Sequence, residues 1–455
     1  MKNGKRSSFS GKLGYVLAAA GASVGLGNIW RFPYLAAKYG GGIFLIIYIV
    51  LALTFGYTMI VAETAIGRMT RKSPVGAFKS FGKKKWLSFG GWINAVIPVL
   101  ILPYYSVIGG WVIKYLVEYF RGNAKLLAED GYFTDFISNG VSTELCFVAF
   151  CAFTLIIIFA GVQNGIERVS KIMMPILIVL SVIIAVYSVT RPGALAGVKY
   201  FLVPNVKNFS WMTVVSAMGQ MFYSLSIAMG ILITFGSYMK KDTAIEDSTR
   251  NVEVFDTGIA IMAGLMIIPA VFAFSGGDPD TLQAGPSLMF ITIPKVFQNM
   301  GFGTVIGIVF FLLVLFAAVT SSIALTESAV STFEDELGWG RKKATVLVGV
   351  IMLVLGSLSS LGYGPLAGIK IIGMQFLDLF DFLTNSVMMP IAALLTSLLV
   401  SRVVGIDKIE EEIIHGESAF RRKKVFVVMI KYLCPVFAII ILLSSVANAL
   451  GWIKM

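Results

Sequence analysis

Apolar positions in this chain neither alternate nor recur at helical spacing. They come as long runs of about 18 residues or more, separated by short clusters of charged residues. Runs of that length predict membrane-crossing helices, because a helix satisfies its own backbone hydrogen bonds in hydrocarbon. Eleven spans are predicted: 13–37, 42–67, 89–120, 143–160, 172–190, 211–239, a seventh after Arg250 ending near Phe274, 304–336, 343–360, 371–400 and 424–448. A tail, 1–12, precedes them, and the stretch 275–302 is long and apolar enough to fold back onto the protein. The first run is interrupted by Gly21-Ala22-Ser23-Val24-Gly25-Leu26-Gly27-Asn28-Ile29-Trp30-Arg31-Phe32-Pro33, which places three glycines, an asparagine and an arginine where a lipid-facing helix is uniformly apolar.

Composition agrees with the pattern. The 455 residues are 57% hydrophobic and only 14% charged, with a mean hydropathy of +0.84, which excludes a soluble fold. The fold class is therefore an all-α polytopic membrane protein with 11 transmembrane helices. The net charge of +12 is carried in short clusters between runs, so it reports orientation and no nucleic acid partner. With alternate loops on opposite sides, most Lys and Arg fall on the side of the N-terminus, which places that end in the cytoplasm and the C-terminus outside the cell membrane. Cys146, Cys151 and Cys434 lie in apolar runs and read as small hydrophobes. His415 lies alone in a polar loop. The polar, basic start and the long patterned run behind it do not read as a cleavable signal peptide.

An odd number of spans makes the last a peripheral addition to a core of ten, and ten divide into halves of five, 13–190 and 211–400. An odd number per half inverts the second relative to the first, giving a 5+5 inverted repeat. Corresponding spans should then carry corresponding interruptions, and span 6 is interrupted at Ser224-Leu225-Ser226-Ile227-Ala228-Met229-Gly230 as span 1 is around Gly25. Broken helices 1 and 6 free backbone carbonyls that are costly in hydrocarbon unless bound. Sodium, a hard cation, suits them, and Ser224, Asp256, Thr320 and Ser321 lie at similar depth. The N-terminal ends of half-helices suit a carboxylate. The ligand these features imply is an amino acid.

Residues 13–33, together with Gly219-Gln220-Met221-Phe222-Tyr223-Ser224-Leu225-Ser226 and Thr320-Ser321-Ser322, resemble signatures of the neurotransmitter:sodium symporter family. The similarity runs from about residue 6 to the end of span 11. It implies two Na+ sites. In the first, Ser23, Asn28, Ser224, Asp256 and the substrate carboxylate surround the ion; in the second, Gly21, Val24, Ala317, Thr320 and Ser321 do so. Asp256 departs from the family, many members of which have asparagine there. Ala260 stands where chloride-dependent members have a serine, so the resemblance with this departure implies chloride-independent transport.

The resemblance also implies a substrate pocket. Tyr105 and the N–H groups of Leu26 and Gly27 would meet the carboxylate, and Ser23, Phe222 and Ser226 would flank the ligand. Ile101, Met229, Ser322 and Leu325 would line its side-chain end. Met229, in place of an aromatic residue, points to hydrophobic or aromatic L-amino acids, and Ala228 limits the backbone freedom a glycine would give. Arg31 and Asp381 resemble an external gate with Tyr223 as lid. Arg6 and Asp335 resemble an internal gate with Tyr238 and Ser237 nearby, and Glu63 resembles a buried, protonated acid beside the span 6 break. For Arg6, a basic tail on lipid headgroups is an alternative. A channel or receptor would not need paired broken helices, and no nucleophile, base and metal set suggests an enzyme. A transporter of the same fold for a small or specialised amine remains the nearer rival, opposed by Ala22 where monoamine members have an acid.

Overall fold

In a computed structural model, residues 6–276 and 285–449 are described; the tail residues Lys2 and Lys5 lie outside them. Span 1 is two helices, α1 (Lys12–Ser23) and α2 (Gly27–Lys38), bent by 53°. Then follow α3 (Gly42–Thr70), α4 (Lys85–Phe120), α5 (Gly140–Phe159) and α6 (Val162–Val189). The sixth predicted span is two separate helices, α7 (Trp211–Ser224) and α8 (Ile231–Tyr238). After it come α9 (Ile245–Ser275), the short α10 (Leu288–Gln298), α11 (Gly303–Leu337), α12 (Arg341–Leu361), α13 (Phe376–Val404) and α14 (Lys423–Asn448).

Among the described residues, nine single helices are long and apolar enough to cross a membrane, and the bent pair α1–α2 makes a tenth span. Neither α7, with 14 residues, nor α8, with 8, is long enough alone. Eleven spans therefore require counting α7 and α8 as one interrupted crossing.

Two boundaries differ instructively from the sequence reading. α6 begins at Val162, ten residues before the predicted start, because the polar residues that read as a loop find partners on the N-terminal segment. The Gln163 amide donates to the Ser8 carbonyl (2.7 Å), and Glu167 accepts from the Ser10 N–H (2.8 Å) and hydroxyl. Between 285 and 302 the chain forms α10, whose Phe290 stacks on Phe133 (5.1 Å between ring centres) and meets Trp111 and Tyr115 edge-on. His415 is exposed, Cys146 half-buried, and Cys151 and Cys434 buried.

The centre of the bundle is α1 against α6, α9 and α11, with α4 running along α11. Gly21 permits the approach of α1 to α11, since a Cβ there would lie 3.1 Å from the Thr320 Cβ.

Candidate functional site

The span 6 break is a backbone feature before it is a chemical one. Ser226 (φ 52°), Ala228 (φ 58°) and Gly230 (φ 69°) are all left-handed, a conformation that costs energy for the two residues with a Cβ. What holds it is tertiary. The Ala228 N–H donates to Glu63 Oε1 on α3 (2.7 Å), and the second Glu63 oxygen is buried with no hydrogen-bond partner among the described residues. The two breaks also clasp each other: the Ser226 hydroxyl donates to the Ala22 carbonyl (2.9 Å), and the Ser23 hydroxyl to the Leu225 carbonyl (3.3 Å).

On one side of this clasp, Asn28, Ser224 and Asp256 converge, all fully buried. Asn28 Nδ2 lies 2.8 Å from Asp256 Oδ1 and 2.9 Å from the Ser224 hydroxyl, while Ser224 donates to Asp256 Oδ1 (2.9 Å). Asn28 Oδ1 accepts from the Gly25 N–H (3.2 Å) inside the break. Tyr48 on α3 completes the group, donating to Asp256 Oδ2 (2.8 Å). Sequence reasoning missed Tyr48. Its signal was a lone phenol inside an apolar run, where a buried hydroxyl needs a partner.

On the other side, the Ser321 hydroxyl donates to the carbonyls of Gly21 (3.3 Å) and Ala22 (3.1 Å), freed by the end of α1. Thr320 donates to the Phe316 and Ala317 carbonyls (3.0 and 3.2 Å). Gly21, Ala317, Thr320 and Ser321 are thus brought together. Val24 ends α1 with its N–H on the Ala20 carbonyl (2.7 Å).

Between the clusters is a cavity of about 30 Å³, lined mostly by apolar atoms. Its walls include Ser23, Leu26, Gly27, Ile101, Tyr105, Tyr223, Ser226, Met229 and Leu325 from the sequence reading, with Ala22, Gly25 and Ile231 as additions. Tyr105 accepts from the Leu26 N–H (3.3 Å). Two expected residues stand outside this lining. Phe222 packs on Phe55 (4.9 Å between ring centres), and Ser322 shares a hydrogen bond with Thr154 (3.1 Å).

This arrangement offers neutral oxygens, one buried carboxylate and helix-end N–H groups held by side chains around a small apolar space. A model of the sodium:neurotransmitter symporter family matches residues 6–127 and 134–452. The chain belongs to this family.

Relatives and a solved structure agree. The symporter is 34% identical over 450 residues to the uncharacterized sodium-dependent transporter YhdH of Bacillus subtilis, covering 98% of this chain and 99% of the relative. It is 26% identical over 474 residues to the human sodium- and chloride-dependent GABA transporter 2, covering 90% and 75%. The crystal structure of MhsT in complex with L-phenylalanine superposes with a TM-score of 0.86 at 35% identity, covering 97% of this chain and all of that one. The protein is therefore a multi-pass, sodium-dependent symporter and not an enzyme.

Of the two expected charge pairs, one is formed and the other is not. Arg6 pairs with Asp335 (2.6 Å), donates to Ser237 (2.9 Å) and lies over the Tyr238 ring at 5.0 Å. Asp335 also accepts from the Ser73 N–H (2.6 Å). Burial works against the charge on Arg6, but Tyr238, Asp335, Glu327 and Glu334 outweigh it and raise its pKa above the ordinary value, so it stays a cation. Phe9 packs against Tyr15, Phe235 and Tyr238.

In the other expected pair, no ion pair joins Arg31 to Asp381 among the described residues. Arg31 lies over the Tyr223 ring at 5.3 Å, and Asp381 accepts from Tyr104 (3.1 Å) and Asn385 (2.5 Å). Arg31, Tyr223 and Asp381 instead line an outer cavity of about 320 Å³. Tyr223 lines both cavities and forms the partition between them. Sequence reasoning also missed Tyr104, whose hydroxyl occupies the carboxylate expected to meet Arg31.

Proposed function

We propose that the symporter imports hydrophobic and aromatic L-amino acids with sodium across the cytoplasmic membrane by alternating access. The observation that carries this reading is one small apolar cavity set between two helix breaks, with an oxygen-rich cluster on each side. One sodium ion would bind Ser23, Asn28, Ser224, Asp256 and the substrate carboxylate. A second would bind Gly21, Val24, Ala317, Thr320 and Ser321. The carboxylate would also take the hydroxyl of Tyr105 and the N–H groups of Leu26 and Gly27, with Ser226 close to the ligand. Ile101, Met229 and Leu325 suit an apolar side chain, and the solved relative was crystallised with L-phenylalanine.

The rest of the reading follows from the same parts. The halves 13–190 and 211–400 would form the inverted repeat, with 424–448 added as span 11, the N-terminus cytoplasmic and the C-terminus outside. A fixed carboxylate at Asp256, beside Ala260, supplies negative charge without chloride. A small or specialised amine is disfavoured, because Ala22 lines the cavity and offers no acid.

Competition of twenty amino acids against labelled phenylalanine, in sodium and in sodium-free buffer, tests the function. Saturable uptake that needs sodium and is blocked best by large apolar amino acids is expected. Equal competition by amines lacking a carboxylate would sink the amino-acid reading.

The inner gate gives a separate expectation. Arg6→Ala removes a charge-assisted pair worth about 1.5–3 kcal/mol, which shifts the population toward an inward-open state. A cysteine replacing Ser237 on a cysteine-free background should then be labelled from the cytoplasmic side about tenfold faster. An unchanged rate would leave Arg6 as a lipid-facing tail residue.

A further inference from the structure

Two apolar residues line the cavity from the span 6 break, Met229 and Ile231, and they differ in how far they can move. Met229 lies in the non-helical segment and carries an unbranched thioether, which changes shape at little cost. Ile231 is the first residue of α8 and only 1% exposed. Its backbone is fixed on both sides. The Gly230 carbonyl before it accepts from the Thr234 N–H (3.0 Å), which starts the helix. Gly230 itself is pressed against other elements, since a Cβ there would lie 2.7 Å from both the Asn94 carbonyl on α4 and the Pro74 Cγ.

Asn94 cannot give way. It is fully buried, and its Nδ2 donates to the Gly90 carbonyl (2.9 Å) within the same helix. A β-branched side chain on such a backbone has one strongly preferred rotamer. Both residues line this small cavity, and how large a side chain it admits depends on which of its walls can yield. Met229 can change shape, whereas Ile231 is held.

We propose that Ile231 is the specificity-determining residue that sets the upper size limit of the substrate side chain, as the fixed part of the wall beside the yielding Met229. This rests on the amino-acid reading of the site and goes beyond it by naming the residue that ranks substrates. Shortening Ile231 should favour the largest side chains selectively, because it adds room without removing a contact to the carboxylate or to either oxygen cluster.

The test is uptake of labelled tryptophan and leucine by wild type, Ile231→Val and Ile231→Ala in proteoliposomes. The tryptophan-to-leucine ratio of uptake efficiency is expected to rise about tenfold in Ile231→Ala, the scale of a hydrophobic pocket's discrimination. In Ile231→Val the rise should be smaller and in the same direction, which keeps the proposal testable should the alanine variant fold poorly. Sodium activation should be unchanged in both. A ratio that stays at the wild-type value in a variant that still transports overturns the role of Ile231 while leaving the amino-acid reading intact. A wild type that takes up neither amino acid with sodium overturns that reading, and this one with it.

Discussion

Asp256→Asn is expected to raise the sodium concentration that half-saturates uptake by about a hundredfold, the scale of removing one partner from a buried charge pair. The wild-type carboxylate is fully buried and takes hydrogen bonds from Asn28, Tyr48 and Ser224. That arrangement suits a site that alternates between protein donors and a cation. The hydroxyls of Tyr48 and Ser224 rotate in place, and the Asn28 amide exchanges its two ends, one of which now accepts from the Gly25 N–H. An ion entering among them meets oxygens whose lone pairs are free to turn inward.

Asparagine keeps the shape and most of the hydrogen bonds, so the substitution isolates the charge. Uptake measured against sodium concentration reads the effect, and an unchanged half-saturation point would remove Asp256 from the ion path. The same carboxylate predicts that wild-type uptake is flat when chloride is replaced by gluconate. A several-fold dependence on chloride would mean that Asp256 does not balance the sodium charge.

The second large effect is expected at Tyr105. Tyr105→Phe should weaken substrate affinity about 10- to 100-fold, since a hydrogen bond to a charged group is worth about 1.5–3 kcal/mol. The Tyr105 hydroxyl now accepts from the Leu26 N–H (3.3 Å), and a Cβ on Gly25 would lie 3.0 Å from it. It therefore stands at the end of the break where backbone N–H groups are held by side chains. A substrate carboxylate placed there replaces Tyr105 as acceptor of the Leu26 N–H and accepts a hydrogen bond from the phenolic O–H. The loss should appear in substrate affinity, with sodium activation of residual uptake changed far less. Equal losses in both would point to a collapsed break.

Much of this site was legible from the chain alone, and the reason differs by residue. Gly21 through Pro33 stood out because polar atoms and glycines are costly inside an apolar helix, which is a local property. Ser224 to Gly230 gained weight from its position in the corresponding span. Phe222 and Ser322 were read as pocket residues, yet their side chains turn to Phe55 and Thr154. One register position on a helix decides between facing a cavity and facing a neighbour, and periodicity does not resolve that. Arg31 and Asp381 were expected as a pair. Tyr223 and Tyr104 hold them instead, because pairing across the outer cavity depends on how far the helices have closed.

The sequence by itself determined that the protein is a helical membrane protein with two interrupted spans, a carboxylate at position 256 and hydroxyls at 320 and 321. Long apolar runs, and the polar residues that violate them, are properties of consecutive residues. The tertiary structure decided what those residues meet. Ser321 reaches Gly21 across 300 positions and Tyr48 reaches Asp256 across 208, while Gly230 fixes Ile231 only because Asn94 and Pro74 stand behind it. Contacts at such separations depend on how helices cross, and no stretch of chain carries that information alone.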